Sequence, residues 1–172
     1  QLFIYNDELY LLSNNLTIKK VNKKVKGLNK TIMEGELIYL TNVRKYIFMS
    51  FDCLFYKGKD IRNISDLQER LKISKDICRE MGFNIYNDKL YSNNFDINKM
   101  RDFYQKEIEN FYDHLDTEVS KIKVNDIFFH PKLFLFPNGG DNSEVFIFAD
   151  LIWTNCTENN KINCPYNLDG II

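Results

Sequence analysis

The sequence lacks most of what marks a fibrous, metal-stapled or membrane chain. Three prolines and seven glycines in 172 residues exclude collagen-like and low-complexity architectures. Two histidines, His114 and His130, and four cysteines without a C-x-x-C pair argue against a structural zinc site. Cys53 and Cys78 fall in apolar patterns and read as small core residues. Cys156 and Cys164 could bridge across their loop only in an oxidising compartment, which nothing in the sequence indicates. Neither charge is in excess. A net charge of −1 offers no bulk attraction to a nucleic-acid duplex. No apolar run approaches the ~20 residues a membrane helix needs, and the opening Gln1-Leu2-Phe3-Ile4-Tyr5 shows no initiator Met, no basic n-region and no signal-type apolar stretch. The chain opens in mid-strand and stops abruptly at Asp169-Gly170-Ile171-Ile172, which is the pattern expected of a fragment. Alanine occurs once, at Ala149, beside abundant Asn, Lys, Ile, Tyr and Phe; that bias reflects an AT-rich coding sequence rather than a fold.

What is present is a well-stocked globular core. Hydrophobic residues make up 44% and charged residues 27%, with 14 Phe and 10 Tyr, a balance unlike that of disordered chains. Leu2–Tyr5 and Glu8–Leu12 flank the hairpin dipeptide Asn6-Asp7, and Leu16–Val21 continues as a third strand. Lys19, Lys20, Lys23, Lys24, Lys26 and Lys30 then read as a solvated loop between strands, with phosphate contact as the alternative. Thr31–Leu40 and Tyr46–Tyr56 are strand-like. Ser65-Asp66-Leu67-Gln68 has the form of a capping box with Ser65 as N-cap, opening a helix that Gly82 stops. Phe83–Tyr91 reads as a short strand pair. Met100, Phe103, Tyr104, Ile108, Phe111, Tyr112 and Leu115 mark a second helix by their spacing of three and four. Asp126–Phe136 is an edge or bulged strand because of Pro131, Asn138–Asp141 a turn, Ser143–Trp153 a helix and Leu168–Ile172 a last strand. The expected fold class is α+β, with antiparallel sheets flanked by helices.

The informative segments place acids among apolar neighbours. In Thr31–Leu40, alternation puts Ile32, Glu34, Glu36, Ile38 and Leu40 on one face and Met33, Gly35, Leu37 and Tyr39 on the other. Apolar residues on both faces predict a strand buried on both sides. Two carboxylates there need a cationic or hydrogen-bonding partner, either a Lys or Arg on a neighbouring strand or a ligand. Gly35 lets another group approach closely. Tyr46–Tyr56 carries a single acid, Asp52, after Phe51, and alternation places Phe51 with Ile47, Met49, Cys53 and Phe55. Leu168–Ile172 adds Asp169 and Gly170.

In that order, Glu34-Gly35-Glu36-Leu37, then Phe51-Asp52 followed by Gly58, Arg62 and Arg70, then Asp169-Gly170-Ile171-Ile172, the chain resembles the covalent nucleotidyltransferase superfamily. That superfamily comprises mRNA capping guanylyltransferases and ATP- or NAD-dependent polynucleotide ligases. Glu34 stands where the family's third motif commonly has Asp. The run from Phe51 to Arg62, Pro131-Lys132-Leu133-Phe134 with Phe136-Pro137, and Cys164–Ile172 are similar to the guanylyltransferase domain of the capping enzymes of large DNA viruses. Asp169, where ligases more often carry Glu, leans the same way.

The resemblance implies a two-step reaction in which a lysine attacks the α-phosphate of GTP and the resulting lysyl-GMP passes to the 5′-diphosphate end of RNA. By that analogy Glu34, Glu36 and Phe51 contact the nucleotide, Phe51 by stacking on guanine and Glu36 at the sugar or beside lysine and metal. Asp169 is the candidate ligand of Mg²⁺ (or Mn²⁺), and Asp52 orients its neighbours. Residues 1–172 are then a partial nucleotidyltransferase domain. The family's Lys-x-Asp-Gly does not occur here and is expected upstream of Gln1, with the fifth motif beyond Ile172, so these residues alone are expected to be inactive. Partners would be GTP, the RNA 5′ end and other capping domains or subunits, with no membrane, in host cytoplasm or a virion. Within the same superfamily the alternative is an ATP-dependent ligase; outside catalysis, it is an interaction domain that kept the fold.

Overall fold

The computed structural model describes residues 1–91, 96–135, 142–158, 162 and 164–166. The chain forms two compact units, Gln1–Ile85 with Ile122–Lys132, and Tyr86–Lys121 with Leu133–Ile172.

The first unit is built on one curled sheet. Strands β1 (Leu2–Tyr5) and β2 (Glu8–Leu12) form the expected hairpin. Asn6 and Asp7 both take positive φ, 50° and 61°, the backbone a type I′ turn requires. With β3 (Ile18–Lys24), β4 (Thr31–Leu40), β5 (Lys45–Tyr56) and the short β6 (Lys59–Asp60) they run in the order β3-β2-β1-β4-β5-β6, all neighbours antiparallel. A seventh strand, β7 (Ile127–Pro131), pairs with β5 in parallel. The sheet is therefore mixed rather than antiparallel throughout. Two helices separate β5 from β7 in sequence, and a long crossover is what a parallel pair needs. The sheet curls so that the first strand of its order approaches β5: the Lys19 ammonium of β3 lies 5.9 Å from the Tyr46 ring.

Alternation sorts the side chains. Leu2, Ile4, Leu9, Leu11, Met33 and Cys53 point into the core, while Phe3, Tyr5, Tyr10, Leu12 and Ile32 take the other face, partly or largely exposed. Helix α1 (Leu67–Glu80) packs on β5 and β7, with Ile77 and Cys78 closing the core. Its N-cap is Asp66, whose carboxylate accepts from the Gln68 N–H at 2.8 Å, not Ser65. Both residue types cap well, and the carboxylate adds negative charge at the positive end of the helix. Gly82, at φ +91°, ends the helix as expected. Phe83–Tyr91 forms no strand pair. The Phe83 ring packs on Phe128 and Phe129 instead.

The second unit is helical among the described residues. Helix α2 (Ile97–Lys121) buries Met100, Tyr104, Ile108, Phe111, Tyr112 and Leu115, and α3 (Ser143–Trp153) keeps its expected bounds. The two meet through Tyr104, whose ring lies edge-on to Phe148 and whose hydroxyl donates to Glu144 Oε2 at 3.1 Å. Ahead of α2, the Tyr86 hydroxyl and the Lys89 N–H both donate to the Glu107 carboxylate. The expected turn Asn138–Asp141, the strand Leu168–Ile172 and the end of the stretch at Phe136 lie outside the described residues. Among the described residues no helix is long and apolar enough to cross a membrane.

All four cysteines are free thiols, and their surroundings set different reactivities. Burial pushes Cys53 up to about 12 and raises Cys78 as well. Cys156 donates to Cys164, which raises the first and, with a hydrogen bond from Tyr112, lowers the second. Because the thiolate is the nucleophile, a limiting alkylating agent at pH 8 is expected to label Cys164 first. Peptide mass mapping checks this, and Cys164→Ser is expected to remove the fast phase.

Candidate functional site

The site grows from an irregularity in the β4–β5 ladder. Glu34 pairs with Asp52, but the next residue, Gly35, pairs with Ser50, so Phe51 is left without a partner. Such a bulge bends the strand and re-aims the extra side chain. Alternation alone would set Phe51 with Met49 and Cys53. The bulge instead turns it into a cleft of about 220 Å³ that it shares with Gln1, Leu12, Glu34, Gly35 and the β2–β3 turn.

Gly35 makes the close pairing possible. A Cβ at this position would lie 2.6 Å from the Met49 carbonyl oxygen and 2.6 Å from a ring carbon of Phe48, so no larger residue fits without moving main chain.

The carboxylates diverge from this point. Glu34 Oε1 accepts from Gln1 Nε2 at 3.1 Å. Glu36 Oε2 lies 2.9 Å from the ammonium of Lys132. That ammonium also sits 5.5 Å from the centre of the Phe51 ring, within cation–π range. The lysine is held by its own backbone, whose N–H donates to the Ser50 carbonyl at 2.7 Å just beyond β7. A single cation thus links Glu36 to Phe51. Glu36 does meet a cation, Lys132, but the lysine lies just beyond β7, which pairs with β5, rather than on a strand beside β4, and Glu34 is met by Gln1 and not by a cation. The sequence signal for Lys132 was its position immediately after a strand-ending proline.

The expectation that β4 is buried on both faces is wrong. Glu36, Leu37 and Tyr39 are exposed, because β1 pairs only with Thr31–Met33 and leaves the rest of β4 with β5 as its one ladder partner among the described residues. The Glu36 side chain is 46% accessible and that of Lys132 25%. An ion pair so open to water contributes at most about 1 kcal/mol, so an incoming anion can take the lysine from the glutamate at little cost.

Asp52 faces elsewhere. Its two oxygens receive Arg70 Nε at 2.8 Å and Nη2 at 3.2 Å, and Oδ1 also accepts from the Cys53 N–H at 2.7 Å. Arg70 in turn donates to the Ile64 carbonyl. This fork ties α1 to the residue beside Phe51. Among the described residues no group of three or more His, Cys, Asp or Glu is arranged to hold a metal, and Glu36 is already matched by Lys132, so these residues do not by themselves fit Mg²⁺. Asp169, the candidate ligand, lies outside them.

The structure brings Glu34 and Phe51 to one cleft and joins Glu36 to Phe51 through Lys132. Beside the cleft the aromatic ring can receive the aromatic part of a small ligand, the ammonium an anionic group on it, and the carboxylates hydrogen bonds from its hydroxyls. Across 99% of its length, in an alignment of 180 positions, the chain is 36% identical to a probable mRNA-capping enzyme of Acanthamoeba polyphaga mimivirus. It spans 15% of that protein. No family model matches the chain, and no solved structure matches it.

Proposed function

We propose that the chain is part of an mRNA capping guanylyltransferase, which transfers GMP from GTP through a lysyl-GMP intermediate to the 5′-diphosphate end of RNA. The observation that carries the reading is the bulged Phe51 ring, turned into a cleft beside Glu34 with Lys132 above it. At about 220 Å³ the cleft is below the ~300 Å³ at which small-molecule pockets usually begin. It suits a base, with ribose and phosphates lying outward toward Lys132.

In this reading Phe51 stacks on guanine and Glu36 receives the sugar hydroxyls once Lys132 swings to a phosphate oxygen. Glu34, held by Gln1, supports the floor of the site. A lysine outside these residues attacks the α-phosphate; a P–N bond forms, the bond to the β-phosphate oxygen breaks, and pyrophosphate leaves. The RNA diphosphate then takes the GMP and frees the lysine. Mg²⁺ would be held by Asp169 together with triphosphate oxygens and would offset phosphate charge.

Phe51→Ala is expected to weaken GTP binding about tenfold, within the range of base–aromatic stacking, while Phe51→Trp stays near wild type; fluorescence titration with a labelled GTP analogue reads both. Incubation with α-labelled GTP and Mg²⁺ is expected to leave residues 1–172 unlabelled and to label a version extended at both ends. Label on the 172 residues alone would falsify this assignment of the nucleophile. Labelling of the extended version by ATP in preference to GTP would make it a ligase instead.

A further inference from the structure

The face of the sheet turned away from the core carries a row of residues that the nucleotide site does not use. Across the strands the register runs Lys20, Tyr10, Phe3, Ile32, Phe55, Asp60. Tyr10 and Phe3 stack with centroids 5.0 Å apart and planes 15° from parallel, and the Arg62 guanidinium lies 5.1 Å over Phe55. Phe3, Tyr5, Ile32 and Phe55 line an apolar cleft of about 340 Å³ whose rim includes Lys30. Tyr5 is 52% exposed.

Lysines gather along the β3 side of this face. From Leu9 to Met33 the chain has six lysines and no acid, although its net charge is −1. The lysines are not a loop. Lys19, Lys20, Lys23 and Lys24 belong to β3, the terminal strand of the order, and Lys26 and Lys30 follow it. Lys20 is matched by Glu8 at 2.6 Å. Among the described residues Lys24, Lys26 and Lys30 are exposed and none lies within ion-pair distance of a carboxylate, although Lys24 stands opposite Glu8 in the ladder and, after Lys20, its charge helps lower that carboxyl. The turn that leads into β3 lines the Phe51 cleft, so the basic strand starts where the nucleotide would sit.

We propose that this face is a docking platform for single-stranded RNA. Lys24, Lys26 and Lys30 take backbone phosphates, and Tyr5 with the Phe3–Tyr10 pair offers surfaces on which unpaired bases stack. The exposed Tyr5 ring and the half-buried Phe3 and Tyr10 rings, flanked by exposed lysines, complement a polyanion whose bases are free, and a duplex, with its bases hidden, cannot use the rings. The inference deepens the capping reading by giving the RNA substrate a path away from the nucleotide cleft.

The test is fluorescence anisotropy of a labelled, unstructured RNA 20-mer bearing a 5′-hydroxyl, without GTP, so the outcome does not depend on guanylyl transfer. The chain is expected to bind it at 50 mM salt more tightly than a duplex of the same sequence. Lys24→Gln/Lys26→Gln/Lys30→Gln is expected to weaken binding about tenfold or more. It should also lower the slope of log affinity against log salt by about 2, given ~0.7 per phosphate contact on a single strand. Tyr5→Ser is expected to weaken binding about fivefold and leave the slope unchanged. Circular dichroism melts confirm that each variant is folded. Lys72→Gln/Lys89→Gln/Lys106→Gln removes the same charge from exposed sites elsewhere and is expected to bind like wild type. The proposal is overturned by absence of binding, by an equal loss in the Lys72/Lys89/Lys106 variant, by no effect of Tyr5→Ser, or by equal competition from polyglutamate. Absence of binding in these residues but binding of the platform by another segment of the parent protein would make the face an internal interface.

Discussion

Gly35→Ala is expected to destabilise the chain by about 3 kcal/mol, the upper end of what overpacking usually costs. The added methyl would meet the Met49 carbonyl oxygen and the Phe48 ring, both at 2.6 Å. A flexible side chain could rotate away, but a carbonyl inside a strand cannot, and Phe48 is fully packed in the core. Relief must come from separating β4 and β5, which weakens the ladder holding the Phe51 bulge. Urea unfolding followed by circular dichroism measures the loss, which corresponds to a fall of about 10 °C in Tm for a chain of this size. Gly27→Ala separates contact from backbone effects. Nothing lies within 4 Å of its added carbon, but φ is +79°, so only about 1 kcal/mol is expected. Equal losses at the two positions would mean that close approach is not what selects glycine at Gly35.

How far the sequence could be read follows from the range of the forces involved. Strands β1, β2 and β4 and helix α3 appear at their expected bounds, because turn chemistry and apolar alternation are local signals. The expected third strand, Leu16–Val21, begins and ends two to three residues before β3 because lysines look like loop. On an edge strand, however, charged side chains remain solvated while the backbone pairs on its inner side. The bulge at Phe51 has no signature within β5 itself. It arises from accommodating the β4–β5 approach at Gly35, a cross-strand effect. Desolvation of the acids in β4 was overestimated for a similar reason, since burial depends on how far β1 extends beside it. Glu34, Glu36 and Phe51 are grouped by the resemblance, and the structure sets Glu34 beside Phe51 and links Glu36 to it through Lys132. Lys132 is about 80 residues away from Phe51 in sequence, and only the parallel pairing of β7 with β5 brings it to the site.

The fork between Asp52 and Arg70 gives the second large effect. Their side chains are 20% and 16% accessible, so each ion is only partly hydrated and removal of either leaves the other unmatched. Asp52→Ala is expected to cost about 2–3 kcal/mol, discounted from the full penalty for a dry pair because some water still reaches both groups. Arg70→Ala should cost a similar amount, since it also removes the hydrogen bond to the Ile64 carbonyl. The double variant should cost clearly less than the sum, by about 1–2 kcal/mol, which is the signature of direct coupling. Strict additivity in urea titrations would mean that the fork contributes nothing beyond packing. The same variants separate a positioning role from a purely structural one. Asp52 anchors the strand to α1 one residue after the bulge, so its loss should weaken binding of a labelled GTP analogue under conditions where the variant remains folded. Asp52→Asn, which keeps the shape and one acceptor for Arg70, should recover part of the stability and most of the binding. If Asp52→Ala lowers stability but leaves nucleotide affinity at the wild-type value, the orientation of Phe51 is set by the bulge alone.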